Sequence, residues 1–220
     1  MKYLLFDLDG TLANTAKDIQ EAINHSLELV YSPTITLEEC MEVVGNGLKN
    51  ALKGALCLKN RAFEPDEMAI LNYELIKYYE SHYATYSRAY PGIVELLVKL
   101  KEKGYRLGVI SNKTETLVKL IVKELFPDNL FSYIGGGCDK IALKPDEAPL
   151  DKALTTLSIN KDDVLYFGDS EVDNQFIENC KIKGGIVTWG FRSRSLLEEK
   201  NIKPLIYDVS QLEEFIYGSN

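Results

Sequence analysis

Two aspartates separated by a single residue, Asp7 and Asp9, close a short apolar run near the start of the chain. In an extended strand the period of two puts both carboxylates on one side, at the strand's carboxyl end. Like charges held this close repel each other unless a cation lies between them or one keeps its proton. Gly10 follows and lets the backbone turn tightly around whatever binds. A second acidic pair, Asp169 and Asp173, stands just beyond another apolar run, its members about one helical turn apart. If the two runs are strands of one parallel sheet, Asp169 converges with Asp7 and Asp9 into an oxygen-rich site. Magnesium fits such a site best, because it takes carboxylate and carbonyl oxygens and works beside substrate phosphates. Asp173 reads either as a ligand or outer group of that site, or as a carboxylate favoured by the dipole at a helix start.

Phosphate chemistry has its own candidates. Ser111 and Asn112 leave a third apolar run shortly before a helical pattern. A hydroxyl, an amide and backbone N–H groups at a helix start hold phosphate oxygens, although the same residue types also serve as plain helix caps. Lys144, placed by Pro145 at the start of a helix, offers the compact cation that several carboxylates and a phosphate require. Further back, Gly45-Asn46-Gly47 reads as a loop facing the substrate. Lys49 beside it is a partner for a carboxylate or phosphate, or an ordinary solvated lysine, and Lys53 one turn on can do the same work. His25 and His82 read as structural or surface residues.

The elements that must position these groups are legible as pattern. Apolar runs without alternation recur at 2–6, 106–110, 164–167 and 185–188, as expected of strands covered on both faces. From residue 90 onward they alternate with charged, helix-patterned segments, the signature of a doubly wound, Rossmann-like α/β core. Between residues 14 and about 88 the pattern changes. Ile19, Ile23, Leu27 and Val30, then Ile70, Leu71, Leu75, Tyr78 and Tyr79, recur at helical spacing. A crossover between parallel strands needs about a dozen residues, and this connection is several times longer. The reading is therefore a helical cap domain, 15–88, inserted into a core made of 1–14 and 89–220, with Pro91 opening a helix that runs to Lys103.

In this order the motifs Asp7-Leu8-Asp9-Gly10-Thr11, Ser111-Asn112-Lys113, Lys144 and Gly168-Asp169 resemble those of the haloacid dehalogenase superfamily. Together with Tyr90-Pro91-Gly92 and Val44-Gly45-Asn46-Gly47, they are similar to those of phosphoglycolate phosphatases and their near relatives. The resemblance covers essentially the whole chain. It implies Asp7 as nucleophile, Asp9 as general acid and base with its carbonyl on magnesium, Thr11 as support, Ser111 and Lys144 on phosphate, and Asp169 on the metal. The dehalogenases of that superfamily, which need no metal, lack an aspartate at the position of Asp9. One departure stands out: after Asp173 relatives continue with alanines and a glycine, whereas this chain reads Asn174-Gln175-Phe176-Ile177-Glu178-Asn179-Cys180.

Composition narrows the partners. A chain of 220 residues, 45% hydrophobic, can bury a real core, and a formal charge of -8 repels nucleic acid and anionic membranes. Asp7 ends the first apolar stretch far too early for a signal-peptide core or a membrane span. The four cysteines, Cys40, Cys57, Cys138 and Cys180, form neither a close pair nor a zinc pattern, so free thiols in the cytoplasm are expected. The resulting expectation is a magnesium-dependent phosphomonoester hydrolase, monomeric or homodimeric, that acts on a small phosphorylated metabolite through a phospho-aspartyl intermediate. A phosphosugar mutase, a pyrophosphatase and a non-catalytic phospho-ligand binder are the competing readings.

Overall fold

The computed structural model describes residues 2–138 and 141–219; the outermost positions of the expected core, 1 and 220, lie outside them. The strands in chain order are β1 (Tyr3–Phe6), β2 (Ala13–Asn14), β3 (Arg88–Ala89), β4 (Arg106–Thr114), β5 (Tyr133–Gly137), β6 (Val164–Gly168), β7 (Lys183–Val187) and β8 (Leu205–Ile206). Among the described residues six of them form one parallel sheet, β5-β4-β1-β6-β7-β8, and β2 pairs antiparallel with β3. From β1 the chain moves outward on one side through β4 to β5, then returns to the other side as β6. The strand order thus reverses beside β1, where open α/β sheets place ligands.

Successive side chains of a strand face opposite sides of the sheet, and β1 buries both. Leu4 and Phe6 join one apolar cluster, while Leu5 joins another with Ile110, Tyr166 and Phe176. That double burial is why the run shows no polar alternation. The edge strands escaped the pattern. β5 reads Tyr-Ile-Gly-Gly-Gly and β8 has two residues, so neither carries enough apolar sequence to announce itself.

The stretch between β2 and β3 folds as α1 (Ala16–Glu28), α2 (Leu37–Val43), α3 (Leu48–Leu58) and α4 (Pro65–His82). Thr36 and Glu39 form a reciprocal capping box at α2, and Pro65 opens α4 at the position where its missing N–H costs nothing. Ile19, Ile23 and Leu27 of α1 pack with Leu71, Leu75 and Tyr79 of α4 in the same apolar cluster as Leu4 and Phe6. Ile70, grouped with these by its spacing, is 64% exposed, because the buried face of α4 runs through Met68, Leu71, Leu75 and Tyr79 instead.

The remaining helices are α5 (Ile93–Glu102), α6 (Glu115–Leu125), α7 (Ala148–Leu157), α8 (Glu171–Cys180), α9 (Arg194–Glu199) and α10 (Val209–Gly218). Two expected boundaries move. The helix anticipated from Pro91 begins after Gly92, whose φ of +80° turns the chain, and ends at Glu102. Lys144-Pro145 lies in a loop before α7 rather than at a helix start. α8 forms despite the departure after Asp173; Phe176 and Cys180 fill its inner face.

Candidate active site

Parallel pairing brings the carboxyl ends of β1, β4 and β6 side by side: Phe6 is level with Val109 on one side and Phe167 on the other. Asp7 continues this alignment, its N–H donating to the Phe167 carbonyl at 2.8 Å. Its carboxylate stands 3.1 Å from Lys144 Nζ and accepts from the Leu8 N–H at 2.7 Å. Lys144 is buried, and its ammonium also donates to Asp173 Oδ1 and to the Tyr166 hydroxyl, at 2.8 and 2.7 Å.

Asp173 caps a helix and holds Lys144 at once. Its Oδ2 accepts from the Ser170 hydroxyl at 2.7 Å and from the Ser170 and Asp169 N–H groups, completing a capping box at α8, while Oδ1 holds Lys144 and Tyr166. Asp169 is pinned differently. The Phe191 N–H donates to its Oδ2 at 2.7 Å, and two glycines pack directly on its side chain. A Cβ on Gly10 would come 2.1 Å from Asp169 Oδ2, and one on Gly190 would come 2.3 Å from Asp169 Cβ. Gly10 therefore makes room for a carboxylate as well as for a turn.

Carboxylate oxygens of Asp7, Asp169 and Asp173 lie within 4.8 Å of one another. Burial pushes the Asp7 carboxyl up to about 7; Lys144 opposes this, and the charges of Asp173 and Asp9 add to it. Burial, then Asp173 and Asp7, likewise push Asp169 well above the ordinary carboxylate range. Burial acts in the same direction on Asp173, but Lys144, Ser170 and Tyr166 overcome it and hold that carboxyl below its usual value. One ammonium cannot match all three carboxylates once they ionise, and the donor set is all oxygen. These residues fit a hard divalent cation.

Asp9 stands apart from that cluster. Its Oδ1 accepts from Lys113 Nζ at 2.6 Å and from the Thr15 hydroxyl. Thr11 is buried; its carbonyl accepts from Trp189 Nε1 at 3.1 Å, and its hydroxyl has no hydrogen-bond partner among the described residues. A cavity opens over the Asp7 and Asp9 carboxylates. Asp7, Asp9, Ser111, Asn112, Lys113 and Asp169 line its floor, and Ile19, Val44, Gly45, Gly47, Leu48 and Ala51 its roof.

Ser111 and Gly47 thus reach the cavity where sequence expected them. Asn112 reaches it with its amide already committed: Nδ2 donates to the Lys144 and Gly45 carbonyls, and Oδ1 accepts from the Lys144 N–H at 2.7 Å. Asn46 and Lys49 are exposed and are not among the residues lining the cavity. The α2–α3 turn brings Gly45 and Gly47 inward but carries Asn46 outside, and the first turn of α3 does the same with Lys49.

Several participants were missed. Arg192, buried on the cavity wall, pairs with Glu171 at 2.9 Å and donates to the Met41 and Val44 carbonyls at the end of α2. Tyr166 and Tyr79 show only as members of apolar patterns, and Phe191 and Gly190 carry no sequence signal of their own. Lys113 had one, since it directly follows Ser111-Asn112.

The family model for haloacid dehalogenase-like hydrolases matches residues 4–187. The chain belongs to that family. Among these hydrolases it is of the phosphoglycolate phosphatase-like kind, a phosphatase. It is 33% identical over 192 residues to a phosphoglycolate phosphatase of Cereibacter sphaeroides strain ATCC 17029, covering 87% of each chain. With that of Haemophilus influenzae strain 86-028NP it shares 31% identity over 217 residues, 96% of each. A crystal structure from Lactobacillus delbrueckii subsp. bulgaricus superposes with a TM-score of 0.91 at 28% identity, over 98% of both chains. This haloacid dehalogenase-like hydrolase therefore shares its whole architecture, helices α1–α4 included, with solved relatives.

Proposed function

We propose that this hydrolase is a magnesium-dependent phosphatase of small phosphomonoesters of the phosphoglycolate class, working through a phospho-aspartyl intermediate on Asp7. The observation that carries this reading is the Asp7 carboxylate at the floor of a covered cavity, 3.1 Å from the buried Lys144 ammonium and beside Asp169. The relatives named phosphoglycolate phosphatases support the substrate class. We take residues 15–88 as the inserted cap and 1–14 with 89–220 as the core; the β2–β3 pairing at residues 13–14 and 88–89 supports that division.

Asp7 attacks phosphorus and forms an acyl phosphate as the bond to the substrate alkoxide breaks; Asp9 gives the departing oxygen its proton. Asp9 then takes a proton from water, whose oxygen attacks phosphorus, and cleavage of the bond to Asp7 releases inorganic phosphate. Lys144 and Ser111 offset charge on the transferring group, and Thr11 supports the turn that carries Asp9. Magnesium, held by Asp7, Asp169 and the Asp9 carbonyl, supplies further charge stabilisation when bound. Asp173, already saturated by Lys144, Tyr166 and Ser170, orients Lys144 and stands behind the metal ligands. The absence of a membrane-crossing helix among the described residues and the four free thiols support work in the cytoplasm.

The test is phosphate release from a panel of phosphometabolites with and without magnesium, joined to two substitutions. Asp7→Asn should abolish phosphoenzyme formation. Asp9→Asn should accumulate a hydroxylamine-sensitive phosphate on the peptide containing Asp7 when given an aryl phosphate, whose leaving group needs little protonation. Label on Ser111 or Thr11, or isomerised product in place of free phosphate, would overturn the reading.

A further inference from the structure

Lys113 is a buried lysine that the mechanism above leaves without work. Its ammonium lies 2.6 Å from Asp9 Oδ1, 2.8 Å from the Tyr79 hydroxyl and 4.6 Å from the centroid of the Tyr79 ring. Tyr79 is fully buried in α4, so the lysine is held from above by an oxygen and an aromatic face that cannot move aside. A buried ion pair is a poor device for stability, since desolvating both charges offsets most of their attraction; geometric control is its better-attested use.

Asp9 needs such control. It sits beyond the end of β1 in a tight turn, where Gly10 N–H donates to the Ala13 carbonyl and Ala13 N–H to the Leu8 carbonyl, so no strand neighbour fixes its side chain. Lys113 and Thr15 both hold Oδ1. Among the described residues Oδ2 has no hydrogen-bond partner, and Asp9 lines the cavity. One oxygen is anchored and the other is available to carry a proton.

We propose that Lys113, braced by Tyr79, is a positioning residue for Asp9, fixing Oδ1 so that Oδ2 delivers and collects the proton. This rests on the acid–base role proposed for Asp9. A side chain that acts through Asp9 must matter most where leaving-group protonation limits the rate, and must stop mattering once Asp9 has lost its acid. A lysine that only holds the fold together would depress every substrate alike.

The experiment measures kcat and KM, with magnesium, for Lys113→Met, Tyr79→Phe, Asp9→Asn and the Lys113→Met/Asp9→Asn double variant. The two substrates are 4-nitrophenyl phosphate and the alkyl phosphate that the wild type turns over fastest. Lys113→Met should lower kcat/KM, which reports phosphorylation of Asp7 and not the later hydrolysis, at least about tenfold more on the alkyl phosphate than on the aryl phosphate, and Tyr79→Phe should do the same to a smaller extent. In the Asp9→Asn background the lysine substitution should change that ratio by less than about twofold. Equal losses on both substrates, or effects of Lys113 and Asp9 that multiply, would refute the positioning role while the proposed function stands. Equal losses for Asp9→Asn itself would remove the acid–base role and this inference with it. If Lys113→Met fails to melt cooperatively, Tyr79→Phe, which deletes one oxygen, carries the test, and a ratio unchanged from wild type overturns the proposal.

Discussion

Asp7 is asked to be a nucleophile and a metal ligand, yet without a cation its burial pushes the carboxyl up to about 7. A protonated carboxyl does not ligate, so cation binding must expel that proton. Magnesium affinity of chelator-treated protein is therefore expected to rise with pH through about 7, as the raised carboxyls of Asp7 and Asp169 give up their protons. The slope should reach up to about tenfold per pH unit for each proton released. Titration calorimetry in buffers of different ionisation enthalpy measures both the affinity and the proton released; an affinity flat across this range contradicts the assignment. The sign for stability is opposite in the metal-free protein. The folded state keeps the Asp7 proton that the unfolded chain gives up nearer 3.8, so this group makes the fold lose stability as pH rises from there to about 7. Magnesium should restore it, read as a melting temperature whose dependence on the ion grows with pH.

At the scale of elements, the α2–α3 turn and the start of α3 decide which side chains face the cavity. Leu48, at the first position of α3, is buried against the cavity, whereas Lys49 beside it is exposed. Leu48→Ala should change the ratio of kcat/KM between a short and a longer phosphomonoester by about tenfold, the range available to an apolar contact. Lys49→Ala and Asn46→Ala should leave that ratio within about twofold of wild type. A specificity change on Lys49→Ala with none on Leu48→Ala would mean that the loop presents a different face during turnover.

At the scale of the whole molecule, the two ends of the helical insertion must be held together where the chain leaves the core and where it returns. Asp18 of α1 does this from inside: its buried carboxylate accepts from the Tyr86 and Ser87 N–H groups and from the Ser87 hydroxyl, all within 3.2 Å. These contacts lie beside the β2–β3 pair. Asp18→Ala strands buried donors and should cost about 3 kcal/mol of stability, visible as a lower denaturation midpoint. The folded fraction should keep its preference among substrates. Unchanged stability would assign the tie to β2–β3 pairing and apolar packing alone.

Asp7, Asp9, Ser111 and Asp169 were legible as candidates because each stands at or near an apolar run, and parallel pairing of such runs leaves little choice about which ends meet; Lys144 was singled out only as the cation the cluster requires. The helical insertion was legible for the same local reason, its apolar period. Arg192 was not legible as a site residue, and the motif around Lys113 did not show what that lysine holds, since their partners Met41 and Val44, and Asp9 and Tyr79, lie 34 to 151 positions away in sequence. Nor could sequence show that the Asn112 amide is committed to Lys144 and Gly45, or that Lys49 turns outward in the first turn of α3 while Leu48 turns in. Period and motif are properties of a short stretch of chain, so the sequence by itself determined the strands, the insertion and the acidic cluster. Which atom of each polar side chain remains free for chemistry depends on neighbours recruited from distant segments, and only the tertiary structure decided that.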